Sequence, residues 1–541
     1  MGKGRLGRFV GGLGLGYLQT LVVLVVGLWL TPFLLRRLGT HDYGLWLLAS
    51  QVLVYLALMD LGVVALVPRE VAFAAGAGEP VAGVVRRTIS LVMWQTPVVA
   101  IAAAAAVWLL PAEWELMRRP FAIVAAGFVL AFPLRVFTAL LQGLQDLAFL
   151  GVVQLAAWCA GTATTVALTF AGAGLYALAA GWVVSQLLPA CVAWRRVAVA
   201  FPDVLPRGGS RLSWSETRRS LGRGSWISVA QIAQVLLSGT DLMVAGRLLG
   251  PEAIVPYACT GKLLAMLANQ PQLFMQMALP ALSELRGSAA RARLFEVSRS
   301  MTQVMLLASG AIVALVLVVN GPFVSWWVGG SRFGGQALTA LLLAGMLVRH
   351  VNVTIVYTLF CFGYERRLAL TSIAEGIAGV ALMWLLVPRM GLQGAAAGML
   401  LSTLAVSLPA NVLALAREQG ASPWAFAESI APWFTRFAAV ATGATVLVLT
   451  IRPQGLLAAL PLALAIGAAY LAVMMPVLRT PPLGPMLHAR LQPWLPRMPR
   501  LVRRFTVDAS DAAPQTDARG GFASLGQCLI SRLRREPESP S

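Results

Sequence analysis

The chain has 541 residues, of which 58% are hydrophobic and only 12% are charged, whereas an ordinary soluble domain has roughly a quarter charged residues. Together with a mean hydropathy of +0.76, this composition excludes a soluble globular fold. The net charge of +20 does not indicate nucleic-acid binding, because the Lys and Arg residues lie between long apolar stretches rather than in aromatic-rich patches. We therefore expect an all-α integral membrane protein.

The first half of the chain contains six apolar stretches of membrane-spanning length, since a helix needs about 20 apolar residues to cross the bilayer core. The first stretch lacks the small-residue cleavage site of a secretory signal and is expected to stay in the protein as a helix. The six spans lie near residues 10–34, 44–68, 88–110, 120–142, 149–170 and 172–194. They predict an N-terminal six-helix bundle over residues 1–194.

An Arg-rich stretch with several Pro and Gly residues, 195–224, is predicted to be a basic cytoplasmic connector between two bundles. After it, a C-terminal six-helix bundle is expected over residues 225–416, and two additional, peripheral helices over 417–477, which makes about 14 transmembrane helices. The spans of this half lie near 225–247, 252–283, 301–320, 338–362, 368–388, 391–416, 432–452 and 455–477. Residues 478–541 predict a basic, partly disordered cytoplasmic tail on anionic lipid.

The distribution of positive charge predicts the orientation. Loops on the side of the N-terminus hold most of the Lys and Arg residues, including seven Arg between 195 and 223. The opposite side holds Arg36, Arg37, Arg118, Arg119, Arg247, Arg332, Arg389 and Arg452. Because cytoplasmic loops are enriched in Lys and Arg, we expect both termini in the cytoplasm.

Two pairs of segments indicate an internal repeat. The residues Arg36, Leu38 and Gly39 align with Arg247, Leu249 and Gly250, each just after the first span of a half. At nearly the same offset, GLYALAAG at 174–181 aligns with GLQGAAAG at 391–398. Six spans per copy is an even number, so both halves are expected to enter the membrane in the same direction, as in some alternating-access transporters.

Polar side chains at membrane depth are expected to face a cavity or a partner, because they are costly in hydrocarbon. In the seventh span, Gln231, Gln234, Ser238 and Asp241 fall on one helical face, and a similar stripe follows in the eighth span. Cations at this depth suit a pyrophosphate, since Arg presents paired donors to phosphate oxygens and Lys presents a compact charge. The predicted substrate-binding residues are Arg135, Lys262, Arg349, Asn269 and Gln234.

Three acids at membrane depth, Asp241, Glu375 and Asp60, are predicted to couple transport to an ion. A carboxylate that lines a cavity can exchange a proton or hold Na⁺. An alternative stays open for four of the charged residues: Asp241, Lys262, Arg349 and Glu375 would then pair with each other and only stabilise the bundle.

Catalytic, nucleotide-binding and metal-binding patterns are absent from the sequence. There is no GxxxxGKS or GKT loop, no HExxH motif and no CxxC spacing among the five Cys residues. We therefore expect no catalytic residue, no metal and no cofactor, and a secondary transporter or lipid flippase rather than an enzyme.

The residues of several loose motifs resemble the polysaccharide-transporter branch of the multidrug, oligosaccharidyl-lipid and polysaccharide exporter superfamily, which includes O-antigen and lipid-linked oligosaccharide flippases. The motifs are the segment from Thr31 to Glu70, with its Tyr43-Gly44 and Asp60-Leu61-Gly62, then LLQGLQD at 140–146, and FGYERR at 362–367 leading to GLQGAAAG. Together, in this order and at this spacing, the motifs indicate the resemblance more specifically than any single motif does.

This resemblance implies two six-helix bundles around a cationic cavity that takes the head group of an undecaprenyl-pyrophosphate glycan. The implied function is translocation of the lipid-linked oligosaccharide across the bacterial inner membrane for lipopolysaccharide O-antigen or exopolysaccharide biosynthesis. The expected partners are that lipid, the membrane lipids, H⁺ or Na⁺ and a polysaccharide polymerase, with no nucleic acid. Two alternatives remain: an ion-coupled multidrug exporter of the same superfamily, and a membrane-embedded glycan polymerase.

Overall fold

The structure is a computed structural model that describes residues 3–60, 63–76, 80–205, 232–287 without 234 and 238, 291–420, 422–453 and 455–479. The side chains of 3–21, of 273–297 and of several residues within 65–76 lie outside this description. The described residues form helices and no strand, which confirms the predicted all-α class.

The first compact unit, Met1–Val255, is built around a central helix. This helix, α4, packs against three of its neighbours and buries Met117, Phe121, Phe132 and Leu140 completely. The unit contains α1 Lys3–Ala57, α2 Val63–Gly76, α3 Val81–Trp108, α4 Glu115–Gly143, α5 Leu147–Phe170, α6 Leu175–Ala200 and α7 Thr240–Leu249. The apolar residues on all sides of α4 suit this place, since most of its surface packs on neighbouring helices and its remaining face, with Ile123 and Leu130, is exposed.

The second compact unit, Pro256–Ser541, is likewise arranged around one long helix, α9, whose Val318 and Ala314 are fully buried. The helices α10, α14 and α15 pack around α9. The helices of this part of the chain are α8 Ile254–Gly287, α9 Arg291–Val328, α10 Gln336–Cys361, α11 Glu365–Met390, α12 Leu392–Ser402, α13 Leu408–Gln419, α14 Pro423–Ile451 and α15 Leu456–Arg479. A π turn, Thr403–Ser407, joins α12 to α13.

Eleven helical stretches within the described residues are long and apolar enough to cross a membrane. The first of them, Val22–Asp60, contains parts of the first two predicted spans and is broken at Gly39, where the backbone is not helical. In the seventh predicted span, 225–247, residues 225–231, 234 and 238 fall outside the described residues, and the eighth span coincides with α8. The chain is a multi-pass membrane protein, and the count of about 14 helices stays a prediction.

The second predicted span, 44–68, differs from the observed helices. Helix α1 ends at Ala57, a single 3-10 turn follows at Leu58–Asp60, and α2 begins only at Val63. The apolar pattern continues through this point, because Leu61, Val63 and Val64 are themselves apolar. Hydropathy therefore predicted the length of the apolar stretch and missed the change of helix within it.

The two aligned segments of the internal repeat have the same local structure. Gly174, before α6, has φ 56° and ψ −132°, and Gly391, before α12, has φ 59° and ψ −138°. A contact between a glycine and a serine also recurs in each copy: Gly161 lies against Ser185, and Gly379 lies against Ser402. These matches in each unit support the repeat that the sequence indicated.

The predicted domain boundaries are finer than the division into two units, which falls between Val255 and Pro256. Of the predicted connector, 195–224, only residues 195–205 are described, and of the tail, 478–541, only 478 and 479. The bundles at 1–194 and 225–416 and the additional helices at 417–477 therefore remain predictions as separate domains.

Candidate functional site

The first unit places Asp241 in the first turn of α7, beside the end of α1. The hydroxyls of Tyr55 and Thr240 lie 2.9 Å apart and share a hydrogen bond. The Asp241 carboxylate accepts a hydrogen bond of 2.9 Å from the backbone N–H of Leu242, and it interacts electrostatically with Tyr55. Asp241 is therefore a half-buried carboxylate at a helix N-terminus, where the helix dipole favours negative charge.

The close packing of α7 on α1 depends on glycine. A Cβ atom added at Gly239 would overlap the side chain of Gln51, and one added at Gly246 would overlap Leu48. Small residues allow helices to approach closely in a membrane, where no hydrophobic force draws them together. This approach brings Asp241 to the Tyr55 side of α1.

Asp60 is buried, with 4% of its surface exposed, in the 3-10 turn that follows α1. Its backbone carbonyl accepts a hydrogen bond of 3.2 Å from Gln95 Nε2 on α3. Gln95 is itself buried, and its Oε1 has no hydrogen-bond partner among the residues that the structure describes. The predicted ion-coupling residue Asp60 thus connects the turn after α1 to α3 through its backbone carbonyl.

Arg135 is a half-buried cation on α4. Its Nη1 is enclosed and makes no hydrogen bond to any residue within the described ranges. A buried donor that is left unsatisfied costs about 1–3 kcal/mol, and more when the group is charged. An anionic ligand with paired oxygens would remove that cost, since a guanidinium binds phosphate in a planar, bidentate geometry.

In the second unit, both predicted cations are half-buried on helices of membrane-spanning length. Lys262 lies on α8, next to Cys259, with which it interacts electrostatically. Arg349 lies on α10, beside the fully buried His350, whose Nδ1 is 2.6 Å from Ser309 Oγ on α9. Of the two predicted polar partners, Asn269 is exposed, and Gln234 lies outside the described residues.

A buried polar network connects α10, α11, the π turn and α13 and includes the predicted acid Glu375. Thr403 Oγ1 donates a hydrogen bond of 2.6 Å to Glu375 Oε1. Asn352 Nδ2 donates to Ser407 Oγ, and Asn411 Nδ2 donates to Asn352 Oδ1, each at 2.9 Å. All five side chains are less than 9% exposed. Glu375 is therefore a buried carboxylate whose described hydrogen-bond donor is a hydroxyl.

The π turn has an identifiable cause in Pro409, two residues after it. Proline has no N–H for the carbonyl four residues earlier, and its ring would clash with that carbonyl. The backbone widens at Thr403–Ser407 instead. Single π turns within helices occur frequently at functional sites, and here the first and last residues of the turn both take part in the polar network.

Sequence reasoning found Glu375 but missed its neighbours Thr403, Ser407 and Asn411. The signal was present, because these three residues recur every fourth position and so fall on one helical face. Thr and Ser were passed over because they also occur in membrane helices with hydrogen bonds to their own backbone, as Thr371 does here to the carbonyl of Arg367.

Residues 98–333 match the protein family described as "Polysaccharide biosynthesis protein". A Shigella flexneri protein named "Putative O-antigen transporter" is 19% identical over 377 residues, which cover 67% of this chain and 87% of that protein. The predicted resemblance is confirmed. The fold of this chain is also found in two transport proteins of known structure.

The structure of the lipid II flippase MurJ in an inward closed conformation matches with a TM-score of 0.64 and 11% identity, over 86% of this chain and 98% of MurJ. An inward-facing multidrug resistance MATE transporter of the MOP superfamily matches with a TM-score of 0.59 and 15% identity, over 74% of this chain and 95% of the transporter. At such low identity, these likenesses establish the fold and leave the substrate open.

The motifs that carried the resemblance form helix ends in the structure. The segment LLQGLQD, which lies within the matched range, contains the end of α4 and the turn that leads to α5. Its Asp146 Oδ2 accepts a hydrogen bond of 3.1 Å from Arg196 Nε. In FGYERR, outside that range, Tyr364 Oη donates to Glu418 at 2.9 Å, and Arg367 donates to the carbonyl of Ala410. These polar residues therefore hold the turns between helices.

Proposed function

We propose that this protein translocates a lipid-linked oligosaccharide, carried on undecaprenyl pyrophosphate, across the bacterial inner membrane by alternating access. The glycan would then be available to a polysaccharide polymerase for cell-surface polysaccharide synthesis. The family match and the O-antigen transporter relative support a role in polysaccharide export. The substrate itself is argued from the charged residues of the two units.

The observation that carries the proposal is the presence of half-buried cations on spanning helices of both units, Arg135 in the first and Lys262 and Arg349 in the second. The enclosed Nη1 of Arg135 has no partner in the described part of the chain. A pyrophosphate supplies several charged oxygens that suit guanidinium and ammonium groups. A cationic drug would instead be repelled by them, which favours the lipid-linked glycan over the multidrug alternative.

The predicted polar partners Asn269 and Gln234 would contact the sugar hydroxyls, since amides both donate and accept hydrogen bonds. Asp241, Glu375 and Asp60 are proposed to couple transport to H⁺ or Na⁺. Glu375 and Asp60 are buried within their units, and Asp241 is half-buried. Carboxylates at such depth are expected to have a functional reason, because they are costly in a membrane.

The test in cells is to deplete the protein in its native bacterium and to follow the lipid-linked glycan. Loss of surface polysaccharide, with accumulation of a lipid-linked glycan that a lectin cannot reach in spheroplasts, is the expected result. Accumulation of a lectin-accessible glycan would indicate a defect after translocation and would favour the polymerase alternative. Unchanged surface polysaccharide with increased sensitivity to cationic drugs would favour the multidrug exporter.

A further inference from the structure

A cavity of about 530 Å³ lies within the second unit, at the ends of α13 and α15 and the beginnings of α9 and α14. Its lining contains none of the residues that we propose for glycan binding or ion coupling. It also lies apart from the polar network of Glu375, none of whose members line it. The cavity therefore needs an explanation of its own.

Among the residues that the structure describes, the lining of the cavity carries two cations, Arg299 and Arg436, and no acid. Hydroxyl and amide groups of α9 and α14 stand beside them, including Ser298, Gln303 and Ser429. The rest of the wall is apolar, with the side chains of Phe426 and Trp433 among others. One part of the wall thus suits an anion, while the other part suits hydrocarbon.

The cavity lies at the boundary of the apolar span rather than at its centre. Arg299 lies just before the apolar span predicted at 301–320, and α14 begins only three residues before Phe426. Arg436, deeper in α14, donates a hydrogen bond from Nη1 to the carbonyl of Pro432 at 2.7 Å, and so its side chain turns back toward the N-terminal end of its helix. Arginine near a membrane boundary commonly extends in this way toward the head groups.

The outer face of α14 is open to the surrounding lipid. In the most apolar part of this helix, only 11% of the residues are buried in the protein, and Trp424 and Phe434 are strongly exposed. Acyl chains of a bound lipid would therefore run from the apolar wall of the cavity into the bilayer without leaving hydrocarbon. A soluble anion would use only the two arginines and would leave this wall unoccupied.

Gln303 adds a further requirement on the ligand. Its Oε1 is buried and accepts no hydrogen bond from the residues that the structure describes. An unsatisfied buried acceptor is costly, so a ligand that donates a hydroxyl hydrogen to it is favoured. A head group with an anionic phosphate and free hydroxyls meets both conditions, whereas an ammonium head group would be repelled by the arginines.

We propose that this cavity is a binding site for an anionic glycerophospholipid with a hydroxylated head group, of the phosphatidylglycerol type. The phosphate lies between the guanidinium groups of Arg299 and Arg436, a head-group hydroxyl donates to Gln303 Oε1, and the acyl chains follow Trp433 and the outer face of α14. The lipid is a constituent of the membrane and not the transported glycan lipid.

The test is native mass spectrometry of the purified full-length protein, released from nanodiscs with an equimolar mixture of phosphatidylglycerol and phosphatidylcholine. The wild type should retain phosphatidylglycerol, and the double variant Arg299→Gln with Arg436→Gln should retain at least about tenfold less, as expected for the loss of charge-assisted hydrogen bonds. The matched control is Arg366→Gln with Arg417→Gln, which removes two exposed charges outside the cavity lining and should bind like the wild type. Equal retention by the two double variants would overturn the site.

A second pair of measurements identifies the ligand even if the double variant is unstable. Gln303→Leu should abolish the preference of the wild type for phosphatidylglycerol over phosphatidylmethanol, which has the same charge and no head-group hydroxyl. Persistence of the preference would contradict the assigned head group. Displacement of the lipid by water-soluble glycerol phosphate, or by undecaprenyl pyrophosphate at equal concentration, would also overturn the proposal, since the occupant would then be a free phosphate or the transported carrier.

Discussion

Gly39 and Gly250 adopt nearly the same backbone conformation, with φ 84° and ψ 172° in the first and φ 88° and ψ 164° in the second. This region of φ and ψ is open to glycine and strained for other residues. Gly39 breaks the long helix α1, and Gly250 ends α7. The two residues are aligned in the internal repeat, so both copies of the repeat use one glycine to change the chain direction at the same point.

Substitution of either glycine by alanine is therefore expected to destabilise the protein by about 1–3 kcal/mol through backbone strain alone. The space around both positions is open, because an added Cβ would meet no atom within 4 Å. Thermal unfolding in detergent should show a lower midpoint for Gly39→Ala and Gly250→Ala. Gly27→Ala is the matched control, since Gly27 is helical and equally open. Equal stability of all three variants would show that the two conformations are not constrained.

The fold was predictable to the extent that it follows from apolar length. Stretches of apolar residues gave the helices from Val81 to Ala200 and from Ser298 to Leu478, because the bilayer forces each one to satisfy its own backbone. The break at Gly39 and the short helix α2 were not predictable in this way. Both depend on single backbone conformations within a continuous apolar pattern, to which hydropathy is insensitive.

Arg135 offers a test of anion binding that depends on geometry. We expect Arg135→Gln to reduce binding of an undecaprenyl-pyrophosphate glycan at least about tenfold, because a charge-assisted hydrogen bond is lost. Arg135→Lys keeps the charge and loses the planar pair of donors, so its affinity should fall between those of the wild type and Arg135→Gln. The measurement is lipid binding by native mass spectrometry. Wild-type affinity in Arg135→Gln would remove this residue from the site.

The three acids are distinguished by isosteric substitutions that keep shape and lose the charge. Asp241→Asn, Glu375→Gln and Asp60→Asn are each to be assayed for transport in vesicles with an imposed pH or Na⁺ gradient. We expect the coupling residue to lose the dependence on the gradient while the vesicles still contain folded protein. Loss of stability without loss of gradient dependence indicates a structural role instead, as for a buried charge whose partner is removed. Gradient-dependent transport at the wild-type rate by all three variants would contradict ion coupling by these residues.

The orientation is tested by reporter fusions placed after Arg8, within 205–215 and after Arg500. All three are expected to report the cytoplasm, because the positively charged loops share that side. A fusion in the loop near Arg332, on the opposite side by the same rule, should report the periplasm. A periplasmic signal from the fusion within 205–215 would contradict the arrangement of six spans before the connector.

The candidate site was predictable only in part, for a physical reason. Charged residues at membrane depth are rare enough that Arg135, Lys262, Arg349 and Glu375 could be selected from the sequence. The donor to Glu375 is Thr403, a residue type that the sequence does not distinguish from residues bonded to their own helix. The connection of Thr403 to Glu375 also depends on how the π turn packs against α11, which the periodicity of a single helix does not give.

The most direct test of the central claim is reconstitution of the purified protein in proteoliposomes with a fluorescent undecaprenyl-pyrophosphate glycan. Wild-type protein should make the inner-leaflet glycan accessible to an added glycosidase, and Lys262→Ala with Arg349→Ala should be slower by at least about tenfold, since charge-assisted bonds to the phosphates are lost. Arg389→Ala, an exposed Arg at the far end of α11, is the control and should match the wild type. Translocation at the wild-type rate by the double variant would contradict the account. So would a wild-type protein that transports a cationic drug and does not translocate the glycan.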